Sequence, residues 1–339
     1  MTVKVGINGF GRIGRGFLRA VIASGADIDV VAINDLTSPE TNAHLLQYDS
    51  TQGRLGMDVT VDASSMTIGD RVITVHSERN PADIPWGSHG VDVVIESTGI
   101  FTDRDKAAGH LAGGAKRVIV SAPASGVDAT FVVGVNDDQF DPAQHHVISN
   151  ASCTTNCFVP MVKVLDDNFG VISGLMTTVH AYTNDQTLLD QPHKDLRRAR
   201  AAAISIIPSS TGAARATSLV LEAMKGRLDG TSLRVPIPTG SITDFTAVVP
   251  GSPSVEQINA AFKAASTSDR LQGVLVYTEA PIVSADIVGD SASCTYDAGL
   301  TMVQRIDEKT SLVKVMGWYD NEWGYSNRLV DLVAVVGSK

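Results

Sequence analysis

The stretch VKVGINGFGRIG, residues 3–14, decides the fold of this chain. It begins as a β-strand, and Gly9, Gly11 and Gly14 form the pattern G-x-G-x-x-G just before a helical pattern of apolar residues at 17–22. Glycines at this spacing allow a tight turn and a close approach of the backbone to a pyrophosphate, whose charge meets the N-terminus of the next helix. Strand, glycines and helix together predict a Rossmann-type dinucleotide-binding domain.

An acidic residue follows this motif at the distance typical of dinucleotide-binding domains. Asp35 ends the predicted second strand, about 20 residues past Gly14. Its carboxylate can accept hydrogen bonds from the ribose 2′-OH of adenosine and would repel a 2′-phosphate. We therefore predict NAD, rather than NADP, as the cofactor. The alternative is a flexible turn in which Asp35 only caps the chain locally.

The first half of the chain alternates short β-branched runs with stretches of helix length. The runs at 28–33 and 91–95 are almost continuously apolar, as in strands that are covered on both faces. This pattern predicts an α/β domain with a mostly parallel sheet flanked by helices. Residues 55–76 indicate instead short antiparallel strands within this half.

The second half has a different pattern. Apolar residues at helical spacing predict a helix that follows Cys153 and ends near Gly170. Longer strand-like runs come next, at 171–182, 233–249, 273–278, 300–306 and 311–318. Long strands with few helices are typical of an α+β domain on an antiparallel or mixed sheet. We predict an NAD-binding domain of residues 1–151, completed by a C-terminal helix at 320–339, and a second domain of residues 152–319.

Composition excludes several classes of protein. A chain of 339 residues with 43% hydrophobic content favours two globular domains. The net charge of −10 gives no basic bias, so nucleic acid is not predicted as the primary partner. No apolar run reaches the roughly 18 residues of a membrane span, and we expect a cytoplasmic protein without a membrane partner. No cluster of Cys, His and Asp has the spacing of metal ligands, so no metal site is predicted.

Three cysteines, Cys153, Cys157 and Cys294, bear on the chemistry. Cys153 stands in the segment ASCTTNC, residues 151–157, directly before the predicted helix. Unpaired backbone N–H groups at a helix N-terminus stabilise a thiolate and make a cysteine nucleophilic. A buried and inert thiol is an equally open interpretation of Cys153 from the local sequence. We interpret Cys157 and Cys294 as structural.

A nucleophilic thiol requires a base. His180 ends a predicted strand, where its side chain can face a cleft, although one histidine among eight also fits a structural role. Thr183, the segment SSTG at 209–212 and Arg234 offer the short hydroxyls, backbone amides and guanidinium that bind phosphate. The mixed-charge run at 193–200 is interpreted as a solvated or intersubunit loop rather than a nucleic-acid site.

Four separate motifs give the chain a family resemblance. They are NGFGRIGR at 8–15, ASCTTNC at 151–157, HAYT at 180–183 and WYDNEWGYS at 318–326. In this order they closely resemble glyceraldehyde-3-phosphate dehydrogenases of the bacterial type. The resemblance implies an NAD-dependent enzyme that oxidises and phosphorylates D-glyceraldehyde 3-phosphate to 1,3-bisphosphoglycerate in glycolysis or gluconeogenesis. The second domain would be its catalytic domain, and the covalent intermediate would be a thioester on Cys153.

The resemblance also implies roles for individual residues. Cys153 would be the nucleophile, and His180 its base and later its acid. Thr183 and Arg234 would bind the C3 phosphate of the substrate. The inorganic phosphate that attacks the thioester would meet Ser152, Thr154, Thr211 and Gly212, with Arg234 between the two phosphate sites. The residues implied to line the cofactor are Gly9, Phe10, Gly11, Arg12, Ile13, Asp35, Thr98, Gly99, Ser121, Asn321 and Tyr325.

The resemblance further implies a homotetramer, in which the loop at about 182–203 reaches towards a neighbour's cofactor. The sequence departs from the family pattern at Gln191, Phe158 and Arg215, and none of these changes removes a reacting group. An erythrose-4-phosphate dehydrogenase, which uses water as the final acceptor, is the nearest alternative, and a semialdehyde dehydrogenase is a more distant one. From another class, the chain could be an adhesion, RNA-binding or redox-sensing scaffold.

Overall fold

The computed structural model describes residues 2–339. The chain divides into two compact units. One contains the described residues up to Ser152 together with Ser326–Lys339, and the other contains Cys153–Tyr325. Each unit contains one large β-sheet, of nine strands in the first unit and eight in the second.

The first unit alternates strands and helices along most of its length. Its strands are β1 (Val3–Asn8), β2 (Ile28–Asn34), β3 (Tyr48–Asp49), β4 (Gly53–Arg54), β5 (Val59–Val61), β6 (Ser65–Ile68), β7 (Arg71–His76), β8 (Val93–Glu96), β9 (Arg117–Val120), β10 (Ala129–Thr130) and β11 (Val147–Ser149). Its helices are α1 (Arg12–Ser24), α2 (Pro39–Gln47), α3 (Arg104–Ala107) and α4 (Gly109–Ala112).

The large sheet of this unit is mostly parallel. Its strand order is β10-β11-β9-β8-β1-β2-β7-β6-β5, and only the pairs β5–β6 and β6–β7 are antiparallel. Because the chain moves from β1 to β2 on one side and later to β8 on the other, the strand order reverses between β1 and β8. The carboxyl ends of strands at such a point form the usual ligand-binding crevice of open α/β sheets.

The turn from β1 into α1 requires its glycines. Gly9 has a φ of +88°, in the left-handed region that favours glycine. A Cβ atom on Gly14 would lie only 2.2 Å from the carbonyl oxygen of Gly9, so no larger residue fits there. The motif therefore folds as the compact turn that the sequence predicts.

The second unit begins with a long helix and continues as a mixed sheet. Its strands are β12 (Ser173–Ala181), β13 (Ile207–Ser210), β14 (Leu228–Val235), β15 (Ser241–Pro250), β16 (Leu275–Thr278), β17 (Cys294–Asp297), β18 (Met302–Arg305) and β19 (Thr310–Tyr319). Its helices are α5 (Cys153–Phe169), α6 (Ala213–Ala216), α7 (Val255–Ser266) and the start of α8 (Trp323–Gly337).

Most neighbours in this sheet are antiparallel. The order is β13-β14-β12-β15-β19-β17-β16, with β18 on β19, and only β12–β14 and β16–β17 run parallel. The predicted fold class, a Rossmann-type α/β domain plus an α+β domain on a mostly antiparallel or mixed sheet, is confirmed. The single strand predicted at 233–249 is wrong, because Pro236, Pro238 and Gly240 interrupt it and separate β14 from β15.

Helix α5 carries the candidate nucleophile at its first position. Pro160 lies inside this helix and is buried. The helix therefore forms although proline cannot donate the backbone hydrogen bond at this position. Packing supplies the compensation. Phe158 of α5 meets Phe245 of β15 edge to face, with ring centres 4.9 Å apart, and both side chains are fully buried. The start of α5 is thereby fixed against the sheet.

Candidate active site

Cys153 and His180 lie next to each other in the second unit. Cys153 is the first residue of α5 and is partly exposed, whereas His180 lies near the end of β12 and is buried. The Sγ atom of Cys153 lies 3.4 Å from Nε2 of His180. The structure therefore brings together the two residues that the resemblance implies as nucleophile and base.

The other ring nitrogen of His180 is held by the backbone. Nδ1 lies 2.7 Å from the carbonyl oxygen of Ala181. Two neighbours contact Nδ1: this carbonyl oxygen, which can only accept a hydrogen bond, and Nη1 of Arg234, which can only donate and lies 2.9 Å away. Because Arg234 Nη1 has other acceptors in Ala181 O and Thr183 Oγ1, the shorter contact to the carbonyl decides, and Nδ1 carries the hydrogen. Nε2 then has an unprotonated lone pair, and it is the nitrogen that faces Cys153. This tautomer makes His180 a proton acceptor for the thiol.

Arg234 lies beside His180 because their strands are paired in register. In the parallel pair β12–β14, His180 is the partner of Arg234. Nη1 of Arg234 lies 2.9 Å from His180 Nδ1 and donates to Ala181 O at 3.1 Å. Burial, and next the charge of Arg234, lower the pKa of His180 to about 3. His180 is therefore neutral near pH 7.

Burial affects the pKa of the Cys153 thiol more strongly than the start of the helix does. Burial raises its pKa above that of an ordinary thiol, while the charge of Arg234 and the hydrogen bonds from Thr154 lower it by less. The cost of desolvating the charged sulfur thus exceeds the stabilisation that the start of the helix gives to a thiolate. Burial therefore opposes ionisation of the Cys153 thiol, and the neutral imidazole of His180 lies beside it.

A buried tyrosine connects the start of α5 to β12. The hydroxyl of Tyr319, the last residue of β19, lies 2.9 Å from Thr154 Oγ1 and 2.8 Å from Thr178 Oγ1. Its ring also packs edge to face on His180, with centres 5.9 Å apart. Tyr319 thus contacts both the helix that carries Cys153 and the imidazole, and the sequence analysis did not identify it.

Thr183 and Arg234 meet, as a shared phosphate site requires. Nη1 of Arg234 lies 3.2 Å from Thr183 Oγ1. The Thr183 hydroxyl donates to Asp185, which also pairs with Arg198. Burial opposes the charge on Asp185, but the hydrogen bond from Thr183 and the charges of Arg198 and Arg234 outweigh it and lower the pKa of this carboxyl. Two arginines and a carboxylate therefore surround Thr183.

Asp185 and Arg198 are functional candidates that sequence reasoning missed. Arg198 lies in the mixed-charge run that was interpreted as a solvated or intersubunit loop, and its Nε atom lies 3.2 Å from Ser209 Oγ. The sequence signal that could have identified Asp185 is its position, two residues after Thr183. A carboxylate beside a predicted anion site is unusual enough to single out.

The remaining phosphate-site candidates lie at ends of secondary structure. Thr211 follows β13, and its hydroxyl accepts a hydrogen bond from the backbone of Ala213 at 3.2 Å. Gly212 is the N-cap of the short helix α6, and no atom lies within 4 Å of where its Cβ would stand. β13 pairs with β14, the strand of Arg234. Ser152 directly precedes Cys153 in the chain.

Asn321 is held in one orientation by its neighbours. Its Oδ1 atom accepts a hydrogen bond from Ser241 Oγ at 2.9 Å, and both residues are buried. Ser241 Oγ in turn accepts from the backbone N–H of Ala181 at 3.1 Å. One hydroxyl therefore connects Asn321 to the residue that holds the His180 ring. Tyr325, the last cofactor candidate in this unit, is buried in the first turn of α8.

The first unit contains a cavity of about 440 Å³ at the carboxyl ends of its parallel strands. Its lining includes Gly9, Gly11, Asp35 and Thr98. A Cβ on Gly9 would meet the backbone nitrogen of Thr98 at 2.7 Å, so the two turns pack closely. At Gly11 the backbone is open, because no atom lies within 4 Å of the position that a Cβ would occupy. The position and size of the cavity and this open backbone fit a dinucleotide.

The cofactor candidates of this unit that do not line the cavity lie in the glycine-rich turn, in the first turn of α1 and just after strands. Asp35 accepts hydrogen bonds from the backbone of Phe10 at 2.7 Å and of Thr37 at 2.8 Å, one on each carboxylate oxygen. Arg12 begins α1, and its guanidinium contacts Asp49. Ile13 is the next residue of that helical turn, Gly99 follows β8, and Ser121 follows β9.

Two general findings concern residues 2–339. No group of three or more His, Cys, Asp or Glu side chains in this part of the chain is arranged to hold a metal ion. None of its helices is both long enough and apolar enough to cross a membrane.

Comparison with known proteins identifies the family. Residues 3–104 match the family model described as "Glyceraldehyde 3-phosphate dehydrogenase, NAD binding domain", and residues 152–321 match "Glyceraldehyde 3-phosphate dehydrogenase, C-terminal domain". The predicted cofactor, NAD, is confirmed by the first match. The chain is 62% identical to glyceraldehyde-3-phosphate dehydrogenase 2 of Streptomyces avermitilis over 339 residues, which cover 100% of both chains.

Two further relatives agree with this finding. The glyceraldehyde-3-phosphate dehydrogenase of Streptomyces coelicolor is 61% identical over 339 residues, with 100% of both chains covered. The enzyme of that name from Mycobacterium avium is 60% identical over 343 residues, with 99% of both chains covered. The chain belongs to the glyceraldehyde-3-phosphate dehydrogenase family.

Proposed function

We propose that this chain catalyses the NAD-dependent oxidative phosphorylation of D-glyceraldehyde 3-phosphate to 1,3-bisphosphoglycerate through a thioester on Cys153. The observation that carries the proposal is the contact of Cys153 Sγ with the unprotonated Nε2 of His180, at 3.4 Å. Family membership supports the same reaction. Arg234 beside this pair supplies the positive charge that a phosphorylated substrate needs.

In this mechanism Cys153 attacks the aldehyde carbon as its proton passes to Nε2 of His180. The product is a thiohemiacetal, and its oxygen is stabilised by donors at the start of α5 and by His180. His180 returns this proton to the oxyanion, which gives the thiohemiacetal hydroxyl, and then removes it again as the base when the hydride leaves. NAD, when bound, would supply the acceptor for the hydride whose loss converts the thiohemiacetal into a thioester.

Two phosphate sites are proposed, and Arg234 would lie between them. Thr183 and Arg234 would hold the C3 phosphate, with Asp185 and Arg198 fixing the hydroxyl and the local charge. The inorganic phosphate that attacks the thioester would be held by Ser152, Thr154, Thr211 and Gly212. Phosphate attack at the acyl carbon releases Cys153 and forms the acyl phosphate, so the free energy of oxidation is retained in the product.

Each unit, taken by itself, contains residues that we propose bind the cofactor. In the first unit these are Gly9, Phe10, Gly11, Arg12, Ile13, Asp35, Thr98, Gly99 and Ser121. In the second, Asn321 would donate to the nicotinamide carboxamide, since Ser241 already occupies its oxygen side, and Tyr325 would lie near the ring. The domains of the enzyme would be 1–151 with the helix at 320–339, and 152–319.

We also propose that the chain forms a cytoplasmic homotetramer. Leu188, Leu189, Leu196 and Ile204 lie in or just after the loop at 182–203, and each is 78–83% exposed. Large apolar side chains grouped on one segment favour burial in a protein interface. Sedimentation equilibrium measures the assembly directly, and a mass near four chains is the expected result. A monomer at micromolar concentration would contradict it.

The reaction is tested by initial rates of NADH formation from glyceraldehyde 3-phosphate, with and without inorganic phosphate. Strict dependence on phosphate is expected, together with a preference for NAD over NADP. Parallel assays with erythrose 4-phosphate address the nearest alternative: turnover that prefers the tetrose and ignores phosphate would replace the proposal. Absence of turnover with every substrate would support the scaffold alternative.

A further inference from the structure

A buried carboxylate lies directly beneath the nucleotide cavity of the first unit. Glu96 is the last residue of β8 and is only 2% exposed. Its Oε1 atom accepts hydrogen bonds from the backbone N–H of Thr98 at 2.8 Å and from Thr98 Oγ1 at 2.5 Å. Its Oε2 atom accepts from Asn8 Nδ2 at 2.6 Å and contacts His110 Nε2 at 2.9 Å.

The fourth contact is also a donation to Glu96. Trp86 Nε1 lies 3.0 Å from His110 Nδ1. An indole N–H can only donate, so Nδ1 of His110 accepts and its hydrogen resides on Nε2. The buried His110 therefore donates to Glu96. Glu96 is the acceptor in all four hydrogen bonds, which uses both oxygens of a carboxylate and leaves no place for an amide group.

These hydrogen bonds fix three strand ends around the cavity. Asn8, at the end of β1, pairs with Glu96 in the sheet and accepts from Asn34 Nδ2 of β2 at 2.8 Å. The turn after β8 is held against the glycine-rich turn by Ser97, whose hydroxyl donates to Gly9 O at 2.7 Å. The ends of β1, β2 and β8 are therefore joined through one side chain, at the point where the strand order reverses.

Burying a carboxylate costs free energy, and an apolar residue could fill the same volume. Such a residue would leave donors on Thr98, Asn8 and His110 without an acceptor. The free-energy cost of burying Glu96 has an explanation if the arrangement of these turns determines how NAD binds.

We propose that Glu96 is a positioning residue for NAD: it sets the place of the Thr98 turn against the glycine-rich turn and thereby preorganises the adenosine side of the cavity. His110 and Trp86 support it from behind by fixing the hydrogen on His110 Nε2. The proposal rests on NAD binding by this unit. It concerns affinity for the cofactor and not the chemistry at Cys153, which lies in the other unit.

The test compares NAD binding by Glu96→Gln with binding by the unchanged chain and by Glu40→Gln, a matched control on the exposed start of α2. The amide of Glu96→Gln keeps the shape but turns an N–H₂ group towards donors on one side. We expect the Kd for NAD, measured by calorimetry, to rise about tenfold or more, which is about 1.4 kcal/mol. At saturating NAD, kcat should stay within about threefold of the unchanged enzyme, since uniform binding is what is lost.

Several outcomes decide the proposal. If the residue were merely structural, the variant would unfold at lower temperature but bind NAD normally, and an unchanged Kd in folded Glu96→Gln overturns the proposal. If that variant does not fold, His110→Leu removes one of the four donors and should still weaken NAD binding; normal affinity there is equally decisive against it. Failure of the unchanged chain to bind NAD would refute both this proposal and the proposed function, whereas a defect confined to the variants supports Glu96.

Discussion

Nη1 of Arg234 lies 2.9 Å from Nδ1 of His180, on two strands that pair in parallel register. Burial, and next the arginine charge, keep the imidazole neutral, and the Ala181 carbonyl sets which nitrogen carries the hydrogen. Both effects leave Nε2 available to accept a proton from Cys153. The same charge lowers the pKa of the Cys153 thiol against the larger effect of burial. Arg234 therefore acts on both members of the pair.

Replacing His180 should impair chemistry without impairing cofactor binding. His180→Asn removes the acceptor for the Cys153 proton, and we expect acylation to slow by about 10²–10⁴-fold. Stopped-flow measurement of the NADH burst gives the acylation rate, and calorimetry gives the Kd for NAD. His146→Asn, at an exposed position, is the control. A large loss of NAD affinity in His180→Asn would assign this residue to the cofactor instead.

Removing the charge of Arg234 should shift the titration of Cys153. The rate of thiol alkylation follows the thiolate, so its midpoint on the pH axis reports the pKa of the thiol. Because the positive charge lowers this pKa, Arg234→Leu should move the midpoint to higher pH. Arg215→Leu removes an exposed arginine paired with Asp229 and should leave the midpoint in place. A midpoint that falls in Arg234→Leu would show that the charge does not act as described.

The hydroxyl of Tyr319 should matter for phosphate and for stability. Tyr319→Phe leaves the buried hydroxyls of Thr154 and Thr178 without their shared partner. We expect a loss of about 1–3 kcal/mol in the free energy of unfolding, and a higher KM for inorganic phosphate because Thr154 is less well placed. Tyr277→Phe, which removes a hydroxyl bonded to Glu279 at the surface, is the control. Equal KM values for phosphate in the two variants would remove Thr154 from the phosphate site.

A methyl group at Gly14 should close the nucleotide turn. A Cβ atom at this position would lie 2.2 Å from the Gly9 carbonyl oxygen, which belongs to the backbone and cannot rotate away. We expect Gly14→Ala to weaken NAD binding by at least about tenfold, as measured by calorimetry. Gly87→Ala is a matched control in the same unit, since its Cβ would meet its nearest neighbour, Gly114 Cα, at 3.4 Å. Normal NAD affinity in Gly14→Ala would argue against the turn as the binding site.

Asp49 should stabilise the chain in a pH-dependent way. Burial opposes its charge, but hydrogen bonds from the backbone of Gln52, from the Arg12 guanidinium and from the backbone of Thr51 outweigh burial and hold its pKa well below the usual range. Since the folded-state pKa lies below the unfolded one, the stabilisation is present above about pH 4 and is lost as the pH falls further.

Chemical denaturation of Asp49→Asn checks this prediction. The variant should be less stable than the unchanged chain by about 1–2 kcal/mol near pH 7, a figure reduced for solvent screening, and the difference should shrink below about pH 4. A difference that stays constant down to pH 3 would mean that the charge of Asp49 is not involved.

Local sequence patterns predict the nucleotide site, but they do not predict the catalytic pair of Cys153 and His180. The glycine spacing and Asp35 are local signals, because a turn and the next strand end are close along the chain. His180 and Arg234 are separated by 53 residues of chain, and only the register of β12 on β14 brings them together. No local pattern encodes that register, so the resemblance, and not the residue pattern, selected His180 among eight histidines.

Other misses have equally specific causes. Tyr319 and Asp185 are functional only through their partners, Thr154 in the first case and Thr183 in the second, and each pair depends on tertiary packing or loop conformation. β17 was overlooked because its sequence, CTYD, is half polar, although all four residues are buried. The break between β14 and β15, by contrast, was readable from two prolines and a glycine.

The central claim is that oxidation of the aldehyde leaves an acyl group on Cys153 that only phosphate removes efficiently. The most direct measurement mixes the enzyme with glyceraldehyde 3-phosphate and NAD in the absence of phosphate and follows NADH and the mass of the Cys153 peptide together. The account predicts a rapid burst of NADH, an acyl adduct on Cys153, and discharge of that adduct with renewed NADH formation when phosphate is added. Sustained NADH formation without phosphate and without an adduct on Cys153 would contradict it.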